Sequence, residues 1–363
     1  MATSPDQKDI AHQPAWKTGE TDRDRRRGTM LLALLTVLLI GTMLASLTIG
    51  RYPVSLSDVV RIVFTTNPFN AAIPPDDQAW IVVALVRMPR ILLVTLCGMG
   101  LALSGAAMQG VFRNPLVGPE IAGVSSGAAL GGVIAIAIGA SAAGIVGLSF
   151  GFGLLALAAA FGLASLSGRA STLSLVLAGF VVSGFCASML GLVQTLVDST
   201  TKLPSIVYWL LGSFVGATYD KVLLVALVMA TAGSLVLALR WRINLLSLGE
   251  DDAKALGVNV NAMRWSLMSL VALIVAAQVA VSGGVGWVGL VIPHIARLLV
   301  GPEHGRLLPA AALMGGIYLL LMDNIARTAT TQEIPIGLLT SAVGTPVFAY
   351  LFWRVQKKGW TRE

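Results

Sequence analysis

The chain has 363 residues, 56% of them hydrophobic and 12% charged, with a formal net charge of +7 and a mean hydropathy of +0.81. A soluble domain carries about 25% charge, so this chain cannot cover itself with a polar surface, and a water-soluble globular fold is excluded. The basic excess invites a nucleic-acid reading, but its distribution along the chain points to membrane topology instead.

Residues 1–28 are polar and rich in Asp and Arg, and are expected to form a disordered tail. The apolar run from Met30 to Ile49 is too long for a signal-peptide core and lacks a small-residue cleavage site, so it is expected to persist as a span. About 20 apolar residues cross a hydrocarbon core of roughly 30 Å. On that criterion ten spans are predicted, at roughly 29–49, 90–111, 119–139, 144–167, 173–197, 219–240, 262–282, 285–300, 306–326 and 336–355. Segment 50–86 is long and mixed, with Asp58 and Pro74-Pro75-Asp76-Asp77, and reads as a surface loop carrying a short amphipathic helix at Leu56–Phe64. Segment 203–215, LPSIVYWLLGSFV, is apolar but too short to cross, so a re-entrant or interfacial helix is predicted.

Gly286-Trp287 and Pro293 predict that the eighth span is bent or partly unwound. Pro293 should break the helix, and His294 should hydrogen-bond the carbonyl it frees. The 39 glycines, including Gly98-x-Gly100 and Gly127-x-x-x-Gly131, suit close helix packing in lipid. Cys97 and Cys186 lie within apolar runs and read as buried small hydrophobes. The expected plan is a 1–28 tail, a ten-helix body at 29–355 and a short cytoplasmic tail at 356–363.

Ten spans put both termini on one side. With the termini inside, eighteen Lys and Arg fall on inner segments and seven on outer ones, so the positive-inside rule favours cytoplasmic termini. Arg87 and Arg90, in the stretch VRMPR, then face outward. Pro89 suits the first turn of a helix, which sets both arginines at a helix N-terminus, where the macrodipole disfavours a cation by roughly 0.3–1 kcal/mol. Two readings remain open here: snorkelling onto lipid phosphates, or docking of an acidic partner from outside.

Nothing matches the P-loop pattern and no Gly-Lys pair occurs, so the chain cannot hydrolyse a nucleotide itself. Asp323 is the main ionisable group expected within a span, and His294 and His304 lack a third ligand at zinc spacing. An intramembrane enzyme and an ion-coupled secondary carrier both need several such groups; neither is favoured, and no cofactor or metal is expected. The longest polar insertion between inner span ends is SLGEDDAKALGVNV, 247–260. A helix at Glu250–Leu256 would carry acids at its N-terminus and show Ala253, Leu256 and Val258 as an apolar knob for a partner's groove.

In order along the chain stand RMPR (87–90), SGAAMQGVFRNPLVGPEIAGVSSGA (104–128), YWLLGSF (208–214), LGEDDAKALGV (248–258), GGVGWVGLVIPHIARLLVGPEHGRLLP (283–309), DNIAR (323–327) and EIPIGLLTSAVGTPVF (333–348). Together these resemble the FecCD-type permeases of bacterial ABC importers for ferric siderophores, haem and cobalamin. The resemblance covers the first span to residue 355. It implies an all-α polytopic protein of type II ABC importer architecture in the bacterial inner membrane. Two permease subunits, identical or paralogous, would enclose a central path, with two separate cytoplasmic ATPases and a periplasmic binding protein that delivers the cargo; no nucleic acid is involved. A ferric siderophore is the first expectation for that cargo, with haem, cobalamin or an oxyanion as alternatives.

Residue by residue, the resemblance assigns Arg87, Arg90 and Arg327 to docking on acidic residues of the binding protein. It assigns Asn114, Leu116 and Thr172 to the cytoplasmic gate, although Leu173 stands where the family carries Ser. Leu248, Gly249, Glu250, Ala253, Leu256 and Gly257 fall in the loop that couples to the ATPases, while Gln109, Pro293 and His294 are expected at the translocation path or a helix break. A path lined by Gly, Ala, Ser, Thr, Leu and Met suits a large cargo held weakly, with the energy supplied from outside the chain.

Overall fold

The computed structural model describes residues 22–65, 77–166 and 172–359. The expected tail up to residue 21, the proline pair at 74–75 and the last four residues lie outside them. Every regular element described is helical. In chain order the helices are α1 (Asp22–Thr48), α2 (Leu56–Thr65), α3 (Gln78–Phe112), α4 (Val124–Ala137), α5 (Ala142–Leu166), α6 (Thr172–Leu196) and α7 (Lys202–Leu210). They continue with α8 (Tyr219–Ala238), α9 (Arg240–Leu248), α10 (Glu250–Ala255), α11 (Val260–Ser282), α12 (Val288–Val300), α13 (His304–Thr328) and α14 (Ile336–Gly359). Seven are long and apolar enough to cross a membrane, and α4, α12 and α14 are shorter apolar helices. These overlap the ten predicted segments, with α1 and α3 starting earlier, α4 starting later and α14 ending later than expected.

The burial pattern separates two roles. Helices α3 and α11 are wrapped by protein, whereas α1, α5, α6 and α8 leave most of their apolar faces outward. Phe180, Val181 and Phe185 on α6 are among the exposed side chains, an arrangement stable only against lipid or another apolar surface. Helices α3 and α13 form the most extensively packed pair, and α4 packs equally closely on α5. Glycines make the first approach possible: a methyl group on Gly98 would run into the carbonyl of Gly315, and one on Gly315 into that of Gly98. In lipid, where apolar burial drives little, such backbone proximity is the main source of helix–helix affinity. Gly127 and Gly131 pack in the same way against α5, and Cys97 and Cys186 are buried and unpaired.

Side-chain caps set several boundaries. Thr218 accepts from Lys221 N at the start of α8, Asn259 from Ala262 N at the start of α11, and Glu303 from Gly305 N and Arg306 N at the start of α13.

Two expectations about prolines are corrected. The motif VRMPR does not open a helix: α3 starts at Gln78 and runs through Pro89, with π-helical geometry over Ile81–Arg87. Proline has no N–H to give, and the wider π turn before it absorbs that loss without ending the helix. The loop expected over 50–86 therefore yields its last nine residues to the helix, and the dipole penalty on Arg87 and Arg90 lapses. Pro293 likewise sits inside α12, and the break lies earlier, at Gly283–Trp287. The carbonyl that Pro293 cannot bond belongs to Gly289, whose oxygen lies against Gly105 so closely that no Cβ would fit there. The His294 side chain makes no hydrogen bond among the described residues.

Candidate functional site

Five helix ends meet at one place in the bundle. The short helix α7 ends at Leu210, and the next residues are clamped from two sides: Ser213 N donates to Ser282 O at 2.8 Å, Ile336 N to Gly212 O at 2.9 Å and Gly337 N to Leu211 O at 3.0 Å. Gly212 has φ +79° and faces the Gly284 carbonyl with no room for a side chain. The end of α11, the starts of α4, α12 and α14 and the end of α7 thus surround a cavity of about 370 Å³. Ser125, Ser126, Gln278, Ser341 and Glu120 supply polar groups to its wall. Irregular backbone at membrane depth is stable only inside protein or along a water-filled cavity, and interrupted helices that converge near the midplane are a recurring way to build a transport site.

Trp287 holds one of these breaks. It adopts a left-handed conformation (φ +68°), which costs a bulky residue roughly 1–3 kcal/mol. Its ring packs edge-on to Phe348 at 5.8 Å, and its Cβ lies where Gly344 has no side chain. Helix α14 therefore fixes the start of α12.

Glu120 is the ionisable group that sequence inspection missed. It sits in a 3₁₀ turn, Pro119–Ala122, before α4, and its carboxylate makes no hydrogen bond or ion pair among the described residues. Its depth follows from Pro119, which packs on Gly289, itself against Gly105. Gly105 lies seven residues before the end of α3, or about 10 Å at 1.5 Å per residue. A carboxylate at that depth marks a candidate functional site. Its position, second in the predicted 119–139 span, was the available signal.

At the end of the bundle expected to face outward, the structure gathers Arg87, Arg90 and Arg327, but buries their side chains: each residue is less than 10% exposed. Arg90 donates from Nε and Nη2 to Asp323 at 2.9–3.2 Å, and from Nη1 and Nη2 to Glu333 at 3.0 and 2.8 Å. Arg327 bonds Asn324 and the Ser46 carbonyl, with Asp323 Oδ2 3.8 Å from its Nε. Arg87 donates to the carbonyls of Leu47, Thr48 and Tyr52 where α1 ends. Neither lipid snorkelling nor a free outward guanidinium describes these side chains. Asp323, expected from the sequence to be the main ionisable group within a span, is the buried centre of the cluster.

At the opposite end, expected to face the cytoplasm, α3 terminates on Arg113 in the left-handed region (φ +49°), and the chain turns through Asn114, whose Oδ1 accepts from Leu116 N at 2.9 Å. Leu116 is left half exposed. Thr172 is the first residue of α6. Gln109 does not reach the central cavity: it is buried, donating to Leu290 O at 3.3 Å, and lines an inner pocket of about 240 Å³ with Arg113, Asn114, Arg297 and His304.

The insertion forms α10 as predicted, but its knob differs. Ala253 is fully buried, while Leu248 and Leu256 are each 60% exposed. Glu250 pairs with Arg264 at the base, and that guanidinium holds its carboxyl below the usual glutamate range. Gly249 (φ +143°) and Gly257 (φ +80°) close the two ends. Among the described residues, no group of three His, Cys, Asp or Glu could hold a metal ion.

The profile of the FecCD transport family matches residues 37–354. The chain is 44% identical to the molybdate import system permease protein MolB of Haemophilus influenzae, over 90% of this chain and 96% of that one. It is 35% identical to the hemin transport system permease protein HmuU of Yersinia pestis, over 91% and 97%. It is 34% identical to the cobalamin import system permease protein BtuC of Halobacterium salinarum, over 87% and 93%. Its fold matches a solved metal-chelate type ABC transporter in an inward-facing conformation, with a TM-score of 0.80 and 43% identity over 90% of this chain and 99% of that one.

Proposed function

Because the chain belongs to the FecCD transport family and is thus a multi-pass ABC importer permease without ATPase activity of its own, we propose that two copies, or one copy and a paralogue, form the path for a ferric siderophore. A periplasmic binding protein delivers the chelate at the outer end, and two ATPases seat on α10 at the inner end. Both termini face the cytoplasm, as the basic residues favour.

The observation that carries this is the convergence of interrupted helices on a polar-walled cavity, with an exposed apolar knob at one end of the chain's path and an arginine cluster at the other. Two cavities facing each other across a dimer would give a broad tunnel that large cargo crosses without tight binding. ATP-driven closure of the ATPases would draw the two α10 knobs together and exchange the open gate, with Leu116 and the first turn of α6 on the inner side.

An oxyanion is the second reading, favoured by the molybdate relative and by the starts of α4, α12 and α14 around the cavity, each bearing roughly half a positive charge. Against it stand the unpaired carboxylate of Glu120 and the cavity volume of about 370 Å³ in one protomer, which is in the range of drug-sized ligands. The test is uptake by the complete transporter of an iron-loaded hydroxamate chelate against radiolabelled molybdate. Chelate uptake that molybdate does not compete supports the proposal; saturable molybdate uptake with no chelate uptake selects the second reading. Glu120→Gln should lower uptake of a cationic chelate.

A further inference from the structure

The outer cluster has one point of exchange. Asp323 is closed off, with 1% of its side chain exposed, whereas Glu333, the other acid on Arg90, keeps 25%. The cluster holds three guanidiniums and these two carboxylates; Arg90 and Arg327 lie against the acids, and Arg87 has only neutral carbonyls as partners. One positive charge is therefore left over just inside the outer rim, which favours an incoming acid. Of the two acids on Arg90, Glu333 is the more exposed, so it is the one an incoming acid can replace, and the exchange swaps one carboxylate for another, so no buried charge is stranded.

What Glu333 anchors lies along the chain. Ile334 N donates to Ala326 O at 3.0 Å, and the next two amides, Ile336 and Gly337, are those bonded to Gly212 and Leu211. Gly337 and Leu338 are in the wall of the central cavity. Gly337 stands four positions after Glu333, a reach of at most about 14 Å.

We propose that Glu333 holds, in the resting permease, the place on Arg90 that an acidic side chain of the binding protein takes on docking, and that its release frees the start of α14 from the cavity wall. This rests on the docking reading given above. It makes Glu333 a positioning residue: it touches no cargo and acts through Arg90 and the 334–337 backbone. Docking then opens the outer side of the cavity by removing a tether, without a force transmitted through the helices.

The test uses the complete permease–ATPase complex in nanodiscs with its binding protein. In Glu333→Gln the amide still accepts a hydrogen bond from Arg90 but carries no charge. Binding-protein affinity should rise about two- to tenfold, the scale of one partly exposed ion pair, and ATP hydrolysis without binding protein should rise with it. Glu333→Asp, which keeps the charge on a shorter arm, should fall between wild type and Glu333→Gln, and decides the matter if Glu333→Gln fails to assemble. Unchanged or weaker binding in these variants, with binding still lost in Arg87→Glu, would overturn the tether and leave docking intact. Affinity unmoved by Arg87→Glu as well would remove the docking reading itself.

Discussion

Replacing Asp323 with Asn keeps the shape of a fully buried side chain and deletes its charge. In the structure that carboxylate accepts three contacts from Arg90 at 2.9–3.2 Å and lies 3.8 Å from Arg327 Nε. Its loss leaves three guanidiniums with Glu333 as their remaining acid. Breaking a buried ion pair from one side costs about 3–5 kcal/mol, because the partner's charge stays buried. At roughly 2–4 °C per kcal/mol for larger domains, the unfolding midpoint should fall by about 6–20 °C. Cys97 and Cys186 are buried, so a thiol-reactive dye that fluoresces on labelling reports unfolding of the detergent-solubilised protein directly. The double variant Arg90→Gln, Asp323→Asn should recover part of the loss, since charge and countercharge leave together. A midpoint within a degree of wild type, with no coupling between the two substitutions, would refute the internal network.

Other substitutions test separate parts of the structure. Gly105→Ala forces a methyl group into the Gly289 carbonyl; the overpacking cost of about 1–3 kcal/mol should exceed the helix-propensity gain of about 1 kcal/mol, lowering the same dye midpoint. Leu256→Asp should weaken ATPase binding at least about tenfold while leaving the midpoint almost unchanged, as exposed positions usually do; Ala253→Leu should do the reverse. Glu250 has a lowered pKa in the folded protein, so its contribution is present above the unfolded value of about 4.3 and is lost as pH falls through the lower folded value. Hydrogen exchange in α10, corrected for intrinsic rates, should therefore be flat from pH 7 to 5 and rise only below about 4.

The spans were readable because length and apolar content decide membrane crossing, and all ten correspond to helices. What escaped was what depends on contacts between distant residues. Proline normally marks a helix start, so VRMPR read as one; the π turn that lets α3 pass through Pro89 has no signature in the sequence. Counting charges puts Arg87 and Arg90 on the expected outer side, but only the fold brings Asp323 and Glu333 to Arg90 from more than two hundred residues away. Both acids stood at the same predicted outer ends, a signal that could have been used. Ala253 was misjudged because a helix of six residues shows too little periodicity to tell its faces apart.

The most direct test is cargo uptake into proteoliposomes that hold the complete transporter, with ATP sealed inside and chelate-loaded binding protein outside. Accumulation should require internal ATP and binding protein and should be indifferent to a protonophore. Uptake that continues without ATP and collapses with the protonophore would contradict an importer permease.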